Sequence, residues 1–83
     1  MVTKELVMKD FSKLDASPAA MLVQLASKFD SSIHVDQAEK RTNAKSIMGV
    51  MILKFTEGEK VTVTAEGTDE VAALAEIQKF LEA

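Results

Sequence analysis

The segment around Ser46 holds the side chains with the clearest potential for chemistry in this chain. Serine is a favoured helix N-cap residue, and Ser46 directly precedes the apolar run 47–51. A phosphoryl group on its hydroxyl would add about −1.5 to −2 charge and three acceptor oxygens at the start of that helix. Ile47, Met48 and Met51 would form an adaptable apolar contact surface beside it. The pattern therefore predicts a switchable binding site, but a plain helix cap with methionines filling the core would produce the same pattern.

Other reactive side chains are not grouped for catalysis or for metal binding. His34, the one histidine, lies in an alternating segment without a sequence-local serine or carboxylate arrangement that would activate it, and we interpret it as a solvated strand residue. The aspartates lack the spacing of a metal-binding loop, and the glycines stand singly instead of forming a phosphate-binding loop. The positions concerned are Asp10, Asp15, Asp30 and Asp36, and Gly49, Gly58 and Gly67. We therefore predict no catalytic residue, no metal site and no cofactor.

Composition limits the architecture and the class of partner. A chain of 83 residues with 47% apolar and 28% charged residues has room for one domain, 1–83, which should fold alone. It has no cysteine, so disulfides and thiolate chemistry are excluded, and a cytoplasmic location is expected. The net charge of −3 without Lys or Arg clusters disfavours direct nucleic-acid binding. No apolar run approaches ~20 residues, so we expect no membrane span.

Apolar periodicity predicts the elements that must position Ser46. Alternation of apolar and polar residues predicts strands at Val2–Lys9, Ile33–Asp36 and Lys60–Glu66, and hairpin spacing adds Arg41–Ala44. Ser17-Pro18 is a strong helix start, and Ala19, Leu22, Val23 and Ala26 then share one face. A last helix follows Gly67, with a predicted buried stripe of Val71, Leu74, Ile77 (or Gln78) and Leu81. The order βαββαβα indicates an α+β open-faced sandwich, in which helices cover one face of an antiparallel sheet.

The chain resembles the HPr family, the phosphocarrier proteins of the bacterial sugar phosphotransferase system. The resemblance is carried by the serine segment 45–51 (KSIMGVM) and by Asn43 ahead of it, and it extends to Pro18-Ala19 with the helix residues 22–28 and to 65–70 (AEGTDE). Spacing agrees over essentially the whole chain. The fold that this resemblance implies is an open-faced sandwich with a four-stranded antiparallel sheet and three helices, which agrees with the order of elements predicted from periodicity.

One motif departs from the family. Where HPr proteins have the phosphocarrier histidine followed by Ala-Arg-Pro-Ala, this sequence has Asp15-Ala16-Ser17-Pro18-Ala19, so both the histidine and the arginine are replaced. An aspartate carries negative charge at neutral pH, and without the arginine it should repel a phosphoryl donor. Loss of the histidine with retention of the serine segment is similar to the catabolite-repression HPr variant, in which glutamine replaces the histidine. Asp15 and Ser17 depart from that variant too.

The resemblance implies a non-catalytic regulatory protein of carbon catabolite control. Ser46 would be phosphorylated by an HPr-type serine kinase/phosphorylase, and the phosphoserine form would be recognised by a LacI-type transcription regulator. The predicted partner-binding residues are Ile47, Met48 and Met51 beside the serine, with Ala20, Met21 and Gln24 on the neighbouring helix. Two alternatives stay open. One is a phosphocarrier that uses Asp15 or His34 in a noncanonical way, and the other is an unmodified decoy homologue that occupies partner surfaces.

Overall fold

Alternating apolar residues form four strands, and capped segments between them form three helices. A computed structural model describes residues 1–82, so only the last residue of the predicted domain lies outside it. The strands are β1 (Val2–Val7), β2 (Ser32–Gln37), β3 (Lys40–Asn43) and β4 (Lys60–Glu66). The helices are α1 (Pro18–Ala26), α2 (Ile47–Val50) and α3 (Glu70–Leu81). This order is the predicted βαββαβα, and each predicted boundary is correct to within about two residues.

The strands form one antiparallel sheet in the order β1-β4-β2-β3. The register places Leu6 opposite Val61, and Val35 opposite both Val63 and Thr42. Because successive side chains on a strand alternate between faces, these residues point toward the helices while His34 points to the other face. Helix α3 packs on β1 and β4, and α1 packs between α2 and α3. The predicted α+β open-faced sandwich is therefore confirmed.

The core lies between the sheet and the helices. Its largest fully buried apolar side chains come from the three helices, from β1, β2 and β4, and from Met8 just after β1. They are Leu6, Met8, Leu22, Ile33, Val35, Val50, Val61, Val63, Ile77 and Leu81. One predicted core residue is wrong, because Val71 is 69% exposed. The buried face of α3 is centred on Ala73, Ile77 and Leu81, and Val71 in the first turn lies off the edge of that row. Within the described chain, no helix has both the length and the apolar character needed to span a bilayer.

Asp69 links the start of α3 to the start of β2. Its carboxylate accepts hydrogen bonds from the backbone N–H of Asp30 at 2.9 Å, from that of Ser31 at 3.0 Å, and from the Ser31 hydroxyl. Gly67 permits this approach, since a Cβ at that position would lie 2.7 Å from the Ser31 Cα. The pKa of Asp69 is held below its ordinary value by the hydrogen bonds that its carboxylate accepts, first from the Ser31 hydroxyl and then from the Asp30 backbone N–H.

We expect Asp69→Asn to flatten the acid dependence of stability. A carboxyl with a lowered folded-state pKa contributes stability above its unfolded pKa of about 3.9, and that contribution is lost as pH falls through the folded value. The free energy of unfolding of the unmodified chain should therefore decline below about pH 4, and the variant should decline less. Urea unfolding from pH 2 to pH 7 measures this, with Glu39→Gln in the exposed hairpin as the control. Identical pH profiles for Asp69→Asn and the unmodified chain would contradict the assignment.

Candidate functional site

A tight turn between β3 and α2 presents Ser46. The Asn43 side chain accepts a hydrogen bond from the Lys45 backbone N–H at 2.9 Å, and the Asn43 carbonyl accepts one from the Ser46 N–H at 3.0 Å. The Ser46 hydroxyl oxygen then accepts from the Gly49 N–H at 3.3 Å, which makes Ser46 the N-cap of α2, as predicted. Its side chain is half-buried, and this cap uses the hydroxyl as an acceptor only. The hydroxyl proton is thus not committed to the helix.

Further hydrogen bonds fix both ends of the segment from 45 to 54, which contains Ser46. Before the helix, the Lys45 ammonium donates to the Phe29 carbonyl at 2.6 Å, which ties the turn to the loop between α1 and β2. After the helix, the buried Gln37 side chain donates to the Lys54 carbonyl at 2.9 Å and accepts from the Lys54 N–H at 2.8 Å. The chain from 45 to 54 is therefore anchored to the α1–β2 loop at one end and to β2 at the other.

We expect Gln37→Ala to loosen the segment that follows α2. The substitution leaves the Lys54 N–H and carbonyl without their partner, which should cost about 1–3 kcal/mol of unfolding free energy. Hydrogen exchange at the Lys54 amide should also accelerate more than exchange in β4. Gln24→Ala on the exposed face of α1 is the matched control and should change stability by about 0.5 kcal/mol or less. Equal urea midpoints for the two variants would show that the Gln37 side chain does not anchor this segment.

The apolar residues beside Ser46 are on the surface. Met48 is 81% exposed, Met51 69% and Ile47 43%. The alternative in which these methionines fill the core is therefore wrong, and only Val50 of the helix is fully buried. Ile52, which is 49% exposed, extends the same patch and was not predicted from sequence. We call Ile47, Met48, Met51 and Ile52 the methionine patch.

The second predicted contact surface lies on the adjoining helix. Ala20 and Met21 are half-buried and Gln24 is exposed, all on α1, which packs against α2. The structure thus places these residues on the helix next to Ser46. Their partial exposure is suited to contact with a protein partner, because burying exposed apolar area on association is favourable.

The two positions at which the sequence departs from the predicted phosphocarrier motif, Asp15 and Ser17, lie in the loop between β1 and α1. Asp15 and Ser17 are both exposed, and the Ser17 hydroxyl accepts from the Ala20 N–H at 3.3 Å as the N-cap of α1. Ser17 also lines an open groove together with Met51, so this loop borders the methionine patch. His34 is not part of this site, since its side chain lies on the sheet face opposite the helices. Among residues 1–82, no group of three or more His, Asp or Glu side chains is placed to hold a metal ion.

Comparison with known proteins decides the family. The family model described as "PTS HPr component phosphorylation site" matches residues 2–83. This chain belongs to the HPr family. The predicted resemblance is therefore confirmed over essentially the full sequence.

Individual HPr relatives include both branches that the sequence suggests. The chain is 42% identical over 82 residues to the HPr-like protein Crh of Halalkalibacterium halodurans, a match that covers 99% of this chain and 98% of that protein. It is 43% identical over 82 residues to the phosphocarrier protein HPr of Treponema pallidum, covering 99% and 93%. The crystal structure of the Bacillus subtilis catabolite-repression protein Crh is similar with a TM-score of 0.71 and 40% identity, covering 90% of this chain and 82% of that one.

Proposed function

We propose that this HPr-family chain is a non-catalytic regulatory protein of carbon catabolite control, switched by phosphorylation of Ser46. An HPr-type serine kinase/phosphorylase transfers the γ-phosphoryl group of ATP to the Ser46 hydroxyl, and a LacI-type transcription regulator then recognises the phosphoserine form. The protein acts in the cytoplasm, and catalysis resides in its partners.

The observation that carries this proposal is the position of the Ser46 hydroxyl. It is half-exposed, fixed by the Asn43 turn, and borders the exposed methionine patch. Phosphorylation would place a dianion next to apolar side chains that a partner can bury, and an arginine on that partner would pair with the phosphate. Charge and apolar contact would then act together, so affinity would depend on the modification.

The loop at Asp15 supports a regulatory function over a carrier function. The carrier loop of the family pattern combines a neutral imidazole nucleophile with an arginine that binds the incoming phosphoryl group, whereas this loop offers the exposed carboxylate of Asp15 and the uncharged Ser17. Relative to the family pattern, both replacements make the loop more negative, so it is less able to attract an anion. The similarity to Crh of H. halodurans supports the same choice.

The second candidate function is that of a phosphocarrier. The 43% identity to the phosphocarrier protein HPr of T. pallidum favours it, and Asp15 or His34 would then accept the phosphoryl group in a noncanonical way. Aspartyl phosphates do form in other enzymes. Of these two possible acceptors, Asp15 is favoured, because His34 is half-buried on the sheet face opposite the helices.

Intact-mass analysis of the protein isolated from its bacterium tests the proposal. Cells grown on a readily used sugar should yield a fraction carrying one phosphoryl group on Ser46, and cells grown on a poor carbon source should yield less. A mass that stays unmodified under both conditions would favour the decoy homologue. A phosphate that is lost on brief acid treatment, as from His34, or on hydroxylamine treatment, as from Asp15, would favour the carrier.

A further inference from the structure

An open groove of about 590 Å³ runs between the β1–α1 loop and the segment that follows α2. Its floor is apolar and well packed: Phe11 is 5% exposed, Leu53 6% and Ala19 7%. The rings of Phe11 and Phe55 meet edge to face with centroids 5.6 Å apart, which fixes the shape of one wall. Pro18 and Met51 complete the apolar lining. A groove of this volume holds one or two side chains of a partner.

The rim of the groove is acidic. Asp10 and Glu57 line it, and no lysine or arginine is among the described residues that do so. The Ser12 backbone N–H donates to the Asp10 carboxylate at 2.8 Å and holds the pKa of that carboxyl below its ordinary value, so the group is ionised at neutral pH. Glu57 is exposed. Two carboxylates therefore border one apolar floor.

The lysines that neighbour the lining residues in the sequence do not line the groove. The Lys9 ammonium lies 5.6 Å from the Phe11 ring centroid and 5.7 Å from that of Phe80, a cation–π position outside the lining of the groove. Lys13 is exposed on the loop and does not line the groove either. Lys54 stands between the lining residues Leu53 and Phe55 in the sequence, but its side chain is exposed and does not line the groove.

We propose that this groove binds a partner protein's exposed segment in which a large apolar side chain is followed by arginine or lysine. The apolar side chain would fill the floor between Phe11 and Leu53, and the cation would pair with the carboxylates of Asp10 and Glu57. Apolar burial supplies affinity, and the rim charges supply selectivity for a basic sequence. The groove shares Met51 with the methionine patch, but binding there does not require phosphorylation of Ser46, so it goes beyond the function proposed above.

A matched set of dipeptides tests the proposal on the unphosphorylated protein. The probes are acetyl-Phe-Arg-amide, its neutral isostere acetyl-Phe-citrulline-amide and acetyl-Phe-Glu-amide, titrated while backbone amide shifts are followed by NMR. We expect the arginine peptide to shift the amides of Phe11, Met51 and Phe55, and to bind about fivefold more tightly than the citrulline peptide, as one or two partly exposed ion pairs allow. The glutamate peptide should bind most weakly.

Charge variants locate the effect. Glu57→Gln should remove about half of the difference in binding free energy between the arginine and citrulline peptides, and added salt should reduce that difference further. Glu39→Gln on the β2–β3 hairpin removes the same charge outside the groove and should leave the difference unchanged. The amide spectrum itself reports whether each variant is folded. The proposal is overturned if the three peptides bind equally, if shifts occur outside the groove, or if Glu57→Gln and Glu39→Gln behave alike.

Discussion

Ser46→Ala should lose all phosphorylation by an HPr-type serine kinase/phosphorylase with ATP. In the proposed reaction, the hydroxyl oxygen attacks the γ-phosphorus of ATP, the bond to the bridging oxygen breaks, ADP leaves and the hydroxyl proton is released. Alanine has no atom that could attack. The turn that presents residue 46 is held by backbone groups and by Asn43, so the variant should still fold. Loss of the cap to the Gly49 N–H should cost about 0.5–2 kcal/mol of unfolding free energy.

Two controls separate loss of the acceptor from loss of structure. Ser17→Ala removes an N-cap of the same 3.3 Å geometry from α1, so its urea midpoint shows how much a lost cap alone destabilises the protein. Ser27→Ala, at the exposed C-terminal cap of α1, should be phosphorylated like the unmodified chain. Phosphate incorporation into Ser46→Ala at the normal stoichiometry would place the acceptor elsewhere and contradict the site assignment.

The double variant Asp15→His with Ser17→Arg should accept a phosphoryl group from the carrier pathway, whereas we expect the unmodified chain not to do so. In the family pattern, a neutral imidazole nitrogen attacks the phosphorus atom of the donor, and the arginine two residues later binds the phosphoryl oxygens. Both positions are exposed in the β1–α1 loop, so the new side chains can reach a docked donor without repacking the core. Incubation with enzyme I and phosphoenolpyruvate should then yield an acid-labile, base-stable phosphate.

The single variants show which replacement matters. Asp15→His should restore part of the transfer, because the nucleophile is present without the cation. Asp15→Asn removes the negative charge but supplies no nucleophile, and should therefore stay inactive. If the unmodified chain accepts phosphate from phosphoenolpyruvate as well as the double variant does, the loop at Asp15 is a working carrier site and the regulatory proposal is wrong.

Local chemistry explains why much of the fold was predictable from sequence. Alternation in Lys60–Glu66 predicted β4 without error, since a half-buried strand needs period-2 burial. Ser17 and Ser46 predicted two helix starts, because each side chain satisfies a backbone N–H that the first turn leaves free. Val71 was misassigned because the buried face of α3 depends on how the helix is rotated against β1 and β4, which periodicity alone does not determine.

The site was less predictable than the fold. The run from 47 to 53 is almost entirely apolar, so the sequence could not show that Val50 and Leu53 are buried while Met48 and Met51 are exposed. That choice follows from the packing of α2 against α1 and β3. The groove between Phe11 and Phe55 joins residues far apart in sequence and leaves no local signal. The hydrogen bonds between Gln37 and Lys54 also join residues far apart in sequence, so they could not be predicted from a local pattern.

Residue-level mapping of phosphate on the unmodified chain shows whether this protein is switched at Ser46 or works as a phosphocarrier. The protein is incubated in parallel with the serine kinase/phosphorylase plus ATP and with enzyme I plus phosphoenolpyruvate, and each product is fragmented under conditions that preserve labile phosphates. We expect one phosphate on Ser46 from ATP and none from phosphoenolpyruvate. Phosphate from phosphoenolpyruvate on Asp15 or His34, together with an unmodified Ser46, would contradict it.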